Sequence, residues 1–422
     1  MPSPAAVRLE LQMAVEPASY RGLMAVPGFT RVALSTVLAR LEGQMWQLVL
    51  VIFVLQRYRS PSLAGLAVLF AVLPGLILSP LVGALLDRQG RVRLMVLDYV
   101  TTAALSGLMV ALSTSRLLPP PLLLAIVTLL SISNIMSITG ARSLFPLMLP
   151  RALWDRANGL DSSSYSLTTI LGPAIAGVVV ARLGPEAGLL ATAAVATVAA
   201  VSLLGVAEPV ARVRPSSSLL RDARDALTYV LRHASLRGLA ATLFLVNLGF
   251  GVLPVGIPVL VLHKLHGNAA TIGQVFAVFG LAGLVAGLVI GRLSTESRER
   301  QLIAGAIAIE VPMMSLLAVT GSLPMLFALA FVDGIAGTAI NVGTFGLRQR
   351  RTEPAWFGRA FAVSMSLNVA GQPFGSALSG PLLERSTVIP FLLSAAITVL
   401  ALLSALSLIP GRHSDAADPA RG

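Results

Sequence analysis

Long apolar runs separated by short charged turns are the dominant pattern along this 422-residue chain. They fall at about 30–55, 62–86, 92–114, 118–141, 157–181 and 187–207. After one polar stretch they resume at about 238–262, 269–291, 301–320, 323–346, 357–382 and 388–409. Each run approaches the roughly 20 residues that an α-helix needs to cross the hydrocarbon core of a bilayer. The runs are continuous and do not alternate in short segments, which excludes a transmembrane β-barrel. Pattern alone thus predicts an all-α membrane protein of twelve transmembrane helices, six on each side of the polar stretch.

Composition and charge refine this. The chain is 55% hydrophobic and only 12% charged, with mean hydropathy +0.84, whereas a soluble protein carries about 25% charge. The net charge of +12 does not point to a nucleic-acid partner, because the arginines sit between apolar runs and not on one soluble face. Cysteine is absent, so there is no disulfide framework, thiolate nucleophile or Cys-based metal site. Arg8, Glu10, Glu16 and Arg21 interrupt the first 27 residues, which read as a tail and not as a signal peptide.

With the N-terminus inside, 24 of the 31 Lys and Arg residues fall on the cytoplasmic side and six on the other. Positive charge collects on the inside, and an odd number of spans would destroy this bias. The predicted division is a cytoplasmic tail at 1–27, a six-helix bundle at 28–207, a cytoplasmic linker at 208–237, a second bundle at 238–410 and a cytoplasmic tail at 411–422.

The linker opens with helix-breaking residues around Pro209 and Pro215. Leu219, Ala223, Ala226, Leu227, Val230 and Leu231 then recur at helical spacing with charges opposite, predicting an amphipathic connector on the membrane surface. An internal repeat relates the halves. Ser164-Tyr165-Ser166-Leu167 with Pro173 recurs as Ser364-Met365-Ser366-Leu367 with Pro373, an offset of 200. Gly65 and Gly83 likewise match Gly273 and Gly291, at an offset of 208. One half-length separates both pairs, as a duplicated six-helix unit requires.

The most specific local motif is Gly83-Ala-Leu-Leu-Asp87-Arg88-Gln-Gly90-Arg91-Val-Arg93, between the second and third spans on the basic side. Gly83 is expected to let helices approach closely and Gly90 to permit a tight turn, with Asp87 and Arg91 in pairing range across it. Here the chain resembles the major facilitator superfamily, whose hallmark loop has this pattern. The resemblance implies two pseudo-symmetric six-helix bundles and a gating loop, Gly83, Asp87, Arg88, Gly90 and Arg91, that helps hold the inward-closed state. In span five, Leu171-Gly172-Pro173-Ala-Ile-Ala-Gly177 resembles the Gly-Pro antiporter motif of drug exporters, with Gly172, Pro173 and Gly177 as a helix kink. The stretch from Ala141-Arg142-Ser143 to Asn158-Gly159 resembles bacterial exporters of the enterobactin and macrolide efflux type, which implies the bacterial cytoplasmic (inner) membrane.

Ionisable residues within spans are costly and read as functional candidates. Arg40 and Glu42 lie in span one, Asp98 in span three, Glu310 in span nine and Asp333 in span ten. Two residues apart on a helix, Arg40 and Glu42 point about 200° apart and need different partners. Glu42, beside Gly43, Gln44 and Trp46, is the first candidate for a proton or cationic-substrate carboxylate, with a structural ion pair as the alternative. Asp98 reads as part of the nearby basic-loop cluster. Gly280, Gly283, Gly287 and Gly291 form a close-packing face, read as packing within one chain, so a monomer is expected. No phosphate-binding loop occurs, no cofactor or metal is expected, and no nucleophile–base constellation marks an enzyme. The expected partners are the lipid bilayer, a small-molecule substrate and protons. The expected function is proton-coupled efflux of a small amphipathic compound such as a drug or siderophore. An importer or lysolipid flippase of the same fold, and a transport-inactive receptor or scaffold, remain alternatives.

Overall fold

In a bilayer the backbone must satisfy its own hydrogen bonds, and the continuous apolar runs accordingly become long helices. The computed structural model describes residues 19–208, 219–293, 295–296, 298–353 and 356–410, with the side chains of Pro80, Ala84, Asp87, residues 219–223, residues 357–360 and Ala362 outside that description. Among these residues all the regular structure is helical. In the first half, a short α1 (Tyr20–Ala25) precedes α2 (Phe29–Tyr58), α3 (Pro61–Gln89), α4 (Arg91–Thr114), α5 (Pro120–Met148), α6 (Trp154–Leu183) and α7 (Pro185–Ser202). The linker contributes α8 (Leu219–Arg232). The second half continues with α9 (Ala234–Phe250), α10 (Leu253–Val259), α11 (Ala269–Ile290), α12 (Glu299–Val319), α13 (Leu323–Arg351), α14 (Phe357–Arg385) and α15 (Ile389–Leu408).

Among the described residues, eleven stretches are long and apolar enough to cross a membrane. They coincide with every predicted span except the eleventh. That one, α14, has the length, 29 residues, but carries Ser364, Ser366, Asn368, Gln372, Ser376 and Ser379 and is not among the eleven. Large apolar side chains such as Ile77, Leu81, Leu183, Leu288 and Leu403 stand more than half exposed, as lipid-facing positions do.

Helix boundaries follow local chemistry. Gly90 (φ 93°) and Gly184 (φ 88°) take the left-handed conformation that lets α3 turn into α4 and α6 into α7. Asn268 and Thr271 form a reciprocal cap at the start of α11. The run predicted as one span at 238–262 is divided. It breaks at Gly251-Val252, resumes as α10 with Pro254 and Pro258, and ends in a π-helical turn over Leu260–Lys264. Two prolines without N–H donors, close behind a glycine, account for the interruption.

The chain forms two compact units. One comprises Met1–Trp46, Pro74–Gly172 and Glu186–Pro215, and the other Gln47–Leu73, Pro173–Pro185 and Ser216–Gly422, each in its described part. The first unit is cored by Val32, Met95, Tyr99, Leu144, Ala199 and Leu203. The second is cored by Leu239, Leu243, Ile303, Ile307, Ile340 and Ala401. Within the second unit the amphipathic helix α8 packs on α14. Tyr229 stacks on Trp356 at 4.8 Å and 13°, while Val230 is fully buried and Leu231 about half exposed. Part of the apolar face expected on the membrane surface thus covers protein instead.

Candidate functional site

In the first unit Arg40 and Glu42 of α2 find separate surroundings, as their angular separation requires. Arg40 pairs with Asp161 of α6 (Nη2–Oδ1 2.7 Å). It also donates from Nη1 to the Asp161 carbonyl at 2.5 Å and to Ser164 Oγ at 2.8 Å, and lies 5.8 Å from the Tyr165 ring centroid. Both terminal nitrogens of that guanidinium are thereby engaged, which makes Arg40 a structural tie between α2 and α6 and not a free site. Asp161 also borders a hollow of about 250 Å³ lined by Arg142, Phe145, Leu149 and Trp154. Asp161 lies inside the predicted fifth span, and that position was the signal for it.

Glu42 turns the other way and is buried (6% exposed). Its charge interacts with that of Asp98, which is 1% exposed and accepts a hydrogen bond from Ser133 Oγ at 2.8 Å. Asp98 therefore does not join the basic loop. Seven residues into α4, about two turns beyond Arg91, it is buried in the core, where its charge reaches Glu42. Trp46 Nε1, also buried, has no hydrogen-bond partner among the described residues.

The second unit holds a drier acid pair. Glu310 of α12 is fully buried and Asp333 of α13 nearly so (7%), and the two carboxyl groups lie against one another. Among the described residues, neither oxygen of Glu310, nor Asp333 Oδ1, has a hydrogen-bond donor. The sequence separates these residues by 23 positions, and only the antiparallel packing of α12 on α13 joins them. The same unit buries Arg348. The apolar run ending at 346 leaves it outside the span, but α13 continues to Arg351 and carries it in.

In the loop, Gly90 turns as expected. Arg91 pairs with Glu208 (Nη1–Oε1 3.5 Å), and the same carboxylate accepts from the Arg91 and Val92 backbone amides at 2.8 and 3.0 Å. Glu208 thus caps the positive end of α4, a role its place at the head of the linker did not signal. Arg91 Nε also donates to Ser143 Oγ at 3.0 Å, while Arg88 is exposed. Gly83 is not at a close approach: among the described residues a Cβ there would meet nothing within 4 Å. The side chain of Asp87 lies outside the described residues.

Pro173 lies inside α6. Gly172 abuts Gln44 and the Met45 amide. Gly177 meets Ala269 O and Gly273 of α11, a crossing in the second unit that only residues without a Cβ permit. Gly283 of α11 packs on α13 within this chain, receiving a hydrogen bond from Thr338 Oγ1 at 3.2 Å. Among the described residues no group of three or more His, Asp or Glu gathers as a metal site.

The profile of the Major Facilitator Superfamily matches residues 32–294 and 239–422. The chain belongs to the major facilitator superfamily. Among superfamily relatives, it is 36% identical over 398 residues to "Uncharacterized MFS-type transporter y4rN" of Sinorhizobium fredii, covering 93% of this chain and 97% of that one. It is 22% identical over 352 residues to macrolide efflux protein A of Streptococcus pyogenes (80% and 85% covered). It is 27% identical over 346 residues to the multidrug efflux pump Tap of Mycobacterium tuberculosis (79% and 81% covered). A crystal structure of a mutant nucleoside transporter NupG superimposes with TM-score 0.75 at 14% identity, covering 90% of this chain and 99% of that one, which is a likeness of fold alone. The chain is a multi-pass membrane transporter of small molecules and not an enzyme.

Proposed function

We propose that this transporter exports a small amphipathic compound, such as a drug or siderophore, in exchange for protons. The bundles at 28–207 and 238–410 alternate access around a midplane site, with both termini on the cytoplasmic side of the bacterial inner membrane and one chain as the working unit. The distribution of arginines supports that orientation, and the efflux relatives support the direction.

The observation that carries the coupling is a pair of neighbouring buried carboxyl groups in each unit, Glu42 with Asp98 and Glu310 with Asp333. Charged side chains inside spans are expensive, about 2.5–3.5 kcal/mol each by insertion, and among the described residues neither pair is offset by an arginine. A proton shared between Glu310 and Asp333 gives their oxygens the hydrogen-bond partner the protein does not supply. Glu42 and Asp98, with Ser133 as donor, form a second proton-holding candidate. The loop of Gly83, Asp87, Arg88, Gly90 and Arg91 is assigned the gate, tied through Arg91 to Glu208. Gly172, Pro173 and Gly177 provide the bend and the thin surface of α6.

The test uses purified protein in liposomes containing a pH-sensitive dye. Addition of a macrolide that the protein transports moves protons against it, and the Glu310→Gln/Asp333→Asn variant loses that movement while still inserting in the membrane. Macrolide transport by the wild-type protein with no proton movement would sink the coupling. Asp87→Asn is expected to insert normally and export poorly, and full export by it would reject the gate.

A further inference from the structure

Arg348 is among the largest fully buried side chains of the protein, 1% exposed. Its Nη1 meets Met365 Sδ at 2.9 Å. The Phe361 and Phe345 ring centroids lie 5.1 and 5.9 Å from its central carbon. Nε and Nη2 have no hydrogen-bond partner among the described residues. These two nitrogens carry the N–H groups on one side of the planar guanidinium, the fork that matches both oxygens of a carboxylate. Two buried hydroxyls nearby are likewise unpartnered, Thr344 Oγ1 and Ser364 Oγ. Thr344 lies one turn before Arg348 on α13, on the same face. Ser364 lies on α14 between Phe361 and Met365. No carboxylate pairs with Arg348 among the described residues, and Glu299, which enters α12 opposite the end of α13, is taken by Arg350.

A desolvated charge without a counter-ion is strongly unfavourable, and aromatic faces offset only part of that. The protein's own repeat gives the measure of what is missing. Positions 161, 164 and 165, which surround Arg40 with an acid, a hydroxyl and an aromatic ring, correspond at the offset of 200 to Phe361, Ser364 and Met365. The hydroxyl is kept and the acid is replaced by an apolar ring.

We propose that Arg348 is the anchor of a binding site for an organic carboxylate with an apolar or aromatic body, its oxygens on the Nε–Nη2 fork and the Thr344 and Ser364 hydroxyls, its body against Phe345 and Phe361. The site is closed in this structure, so admission requires α13 and α14 to part. The proposal names a ligand chemistry that does not depend on proton coupling or on the direction of transport.

The test is thermal unfolding of the full-length protein in neutral detergent with 4-phenylbutyrate, its neutral amide, inorganic phosphate or phosphatidylglycerol. The carboxylate raises the midpoint by several degrees in a saturable way, and the amide does not. Arg348→Met removes the response. Should that variant not fold, Met365→Glu decides, because it places a carboxylate where the sulfur now touches the guanidinium and leaves the protein insensitive to phenylbutyrate. Several results overturn the proposal: no shift in the wild type, equal shifts by carboxylate and amide, a response surviving in Arg348→Met or Met365→Glu, or a response to phosphate or phosphatidylglycerol alone.

Discussion

Two arginines are placed against the same face of the fifth helix of their respective halves, and they are treated in opposite ways. Arg40 meets Asp161, Ser164 and Tyr165 on α6, with an ion pair of 2.7 Å and a hydroxyl at 2.8 Å. Arg348 meets Phe361 and Met365 at the corresponding positions of α14 and, among the described residues, pairs with no acid. The more exposed guanidinium, 17% against 1%, is the one fully neutralised. Burial alone therefore does not explain the arrangement. Each half presents a polar fifth helix, and one meets its arginine with an acid while the other meets it with an apolar ring.

The largest effect expected from breaking this comparison is at the closed site. Asp161→Ala leaves Arg40 half-buried without a counter-ion. A fully buried broken pair costs about 3–5 kcal/mol, and partial exposure of this one reduces the expectation to about 2–3 kcal/mol. Thermal unfolding in detergent would show a clear fall in midpoint, and replacing both partners together, as Arg40→Met/Asp161→Leu, should recover most of it. A double variant as unstable as the single one would mean that Asp161 acts through something other than Arg40.

Next in size is the reverse experiment at the open site. Met365→Glu is close to isosteric and brings a carboxylate to Arg348, with an expected gain of about 1 kcal/mol because an uncompensated buried charge acquires its partner. The gain should vanish in the Arg348→Met background, and the double-variant cycle reads the pair alone. A loss of stability that is the same with and without Arg348 would show the guanidinium to be satisfied already.

Much of this contrast was legible in the sequence, and what was hidden has physical reasons. The apolar runs located each of the eleven stretches that are long and apolar enough to span among the described residues, because a bilayer leaves the backbone so few alternatives. The 200° separation of Arg40 and Glu42 foretold their separate partners. Asp98 was assigned to the basic loop because it is near it in sequence, whereas helix geometry turns it inward to Glu42. Glu310 and Asp333 each stood out singly, but their pairing depends on how α12 packs on α13. Arg348 escaped notice because hydropathy ends a span where charge begins, and the helix does not end there. Glu208 was hidden for a similar reason, since a cap on another helix leaves no periodic trace. Gly83, read as a close-packing residue from its motif, faces open space in this conformation.

The finest distinction rests on two serines at the offset of 200. Ser164 Oγ accepts from Arg40 at 2.8 Å and donates to the Asp161 carbonyl at 2.7 Å, so Ser164→Ala removes a partner from a charged donor and should cost about 1–2 kcal/mol. Ser364 Oγ is fully buried and has no partner. Removing an unsatisfied buried hydroxyl relieves its desolvation, so Ser364→Ala should be neutral or stabilising by less than about 1 kcal/mol in the ligand-free protein. With 4-phenylbutyrate present the order changes, because the ligand would use the Ser364 hydroxyl, and the variant should show a smaller rise in midpoint than the wild type. Equal costs for the two serines without ligand would mean that the halves are alike at this point, and the asymmetry between the two arginines would then lie in the acid alone.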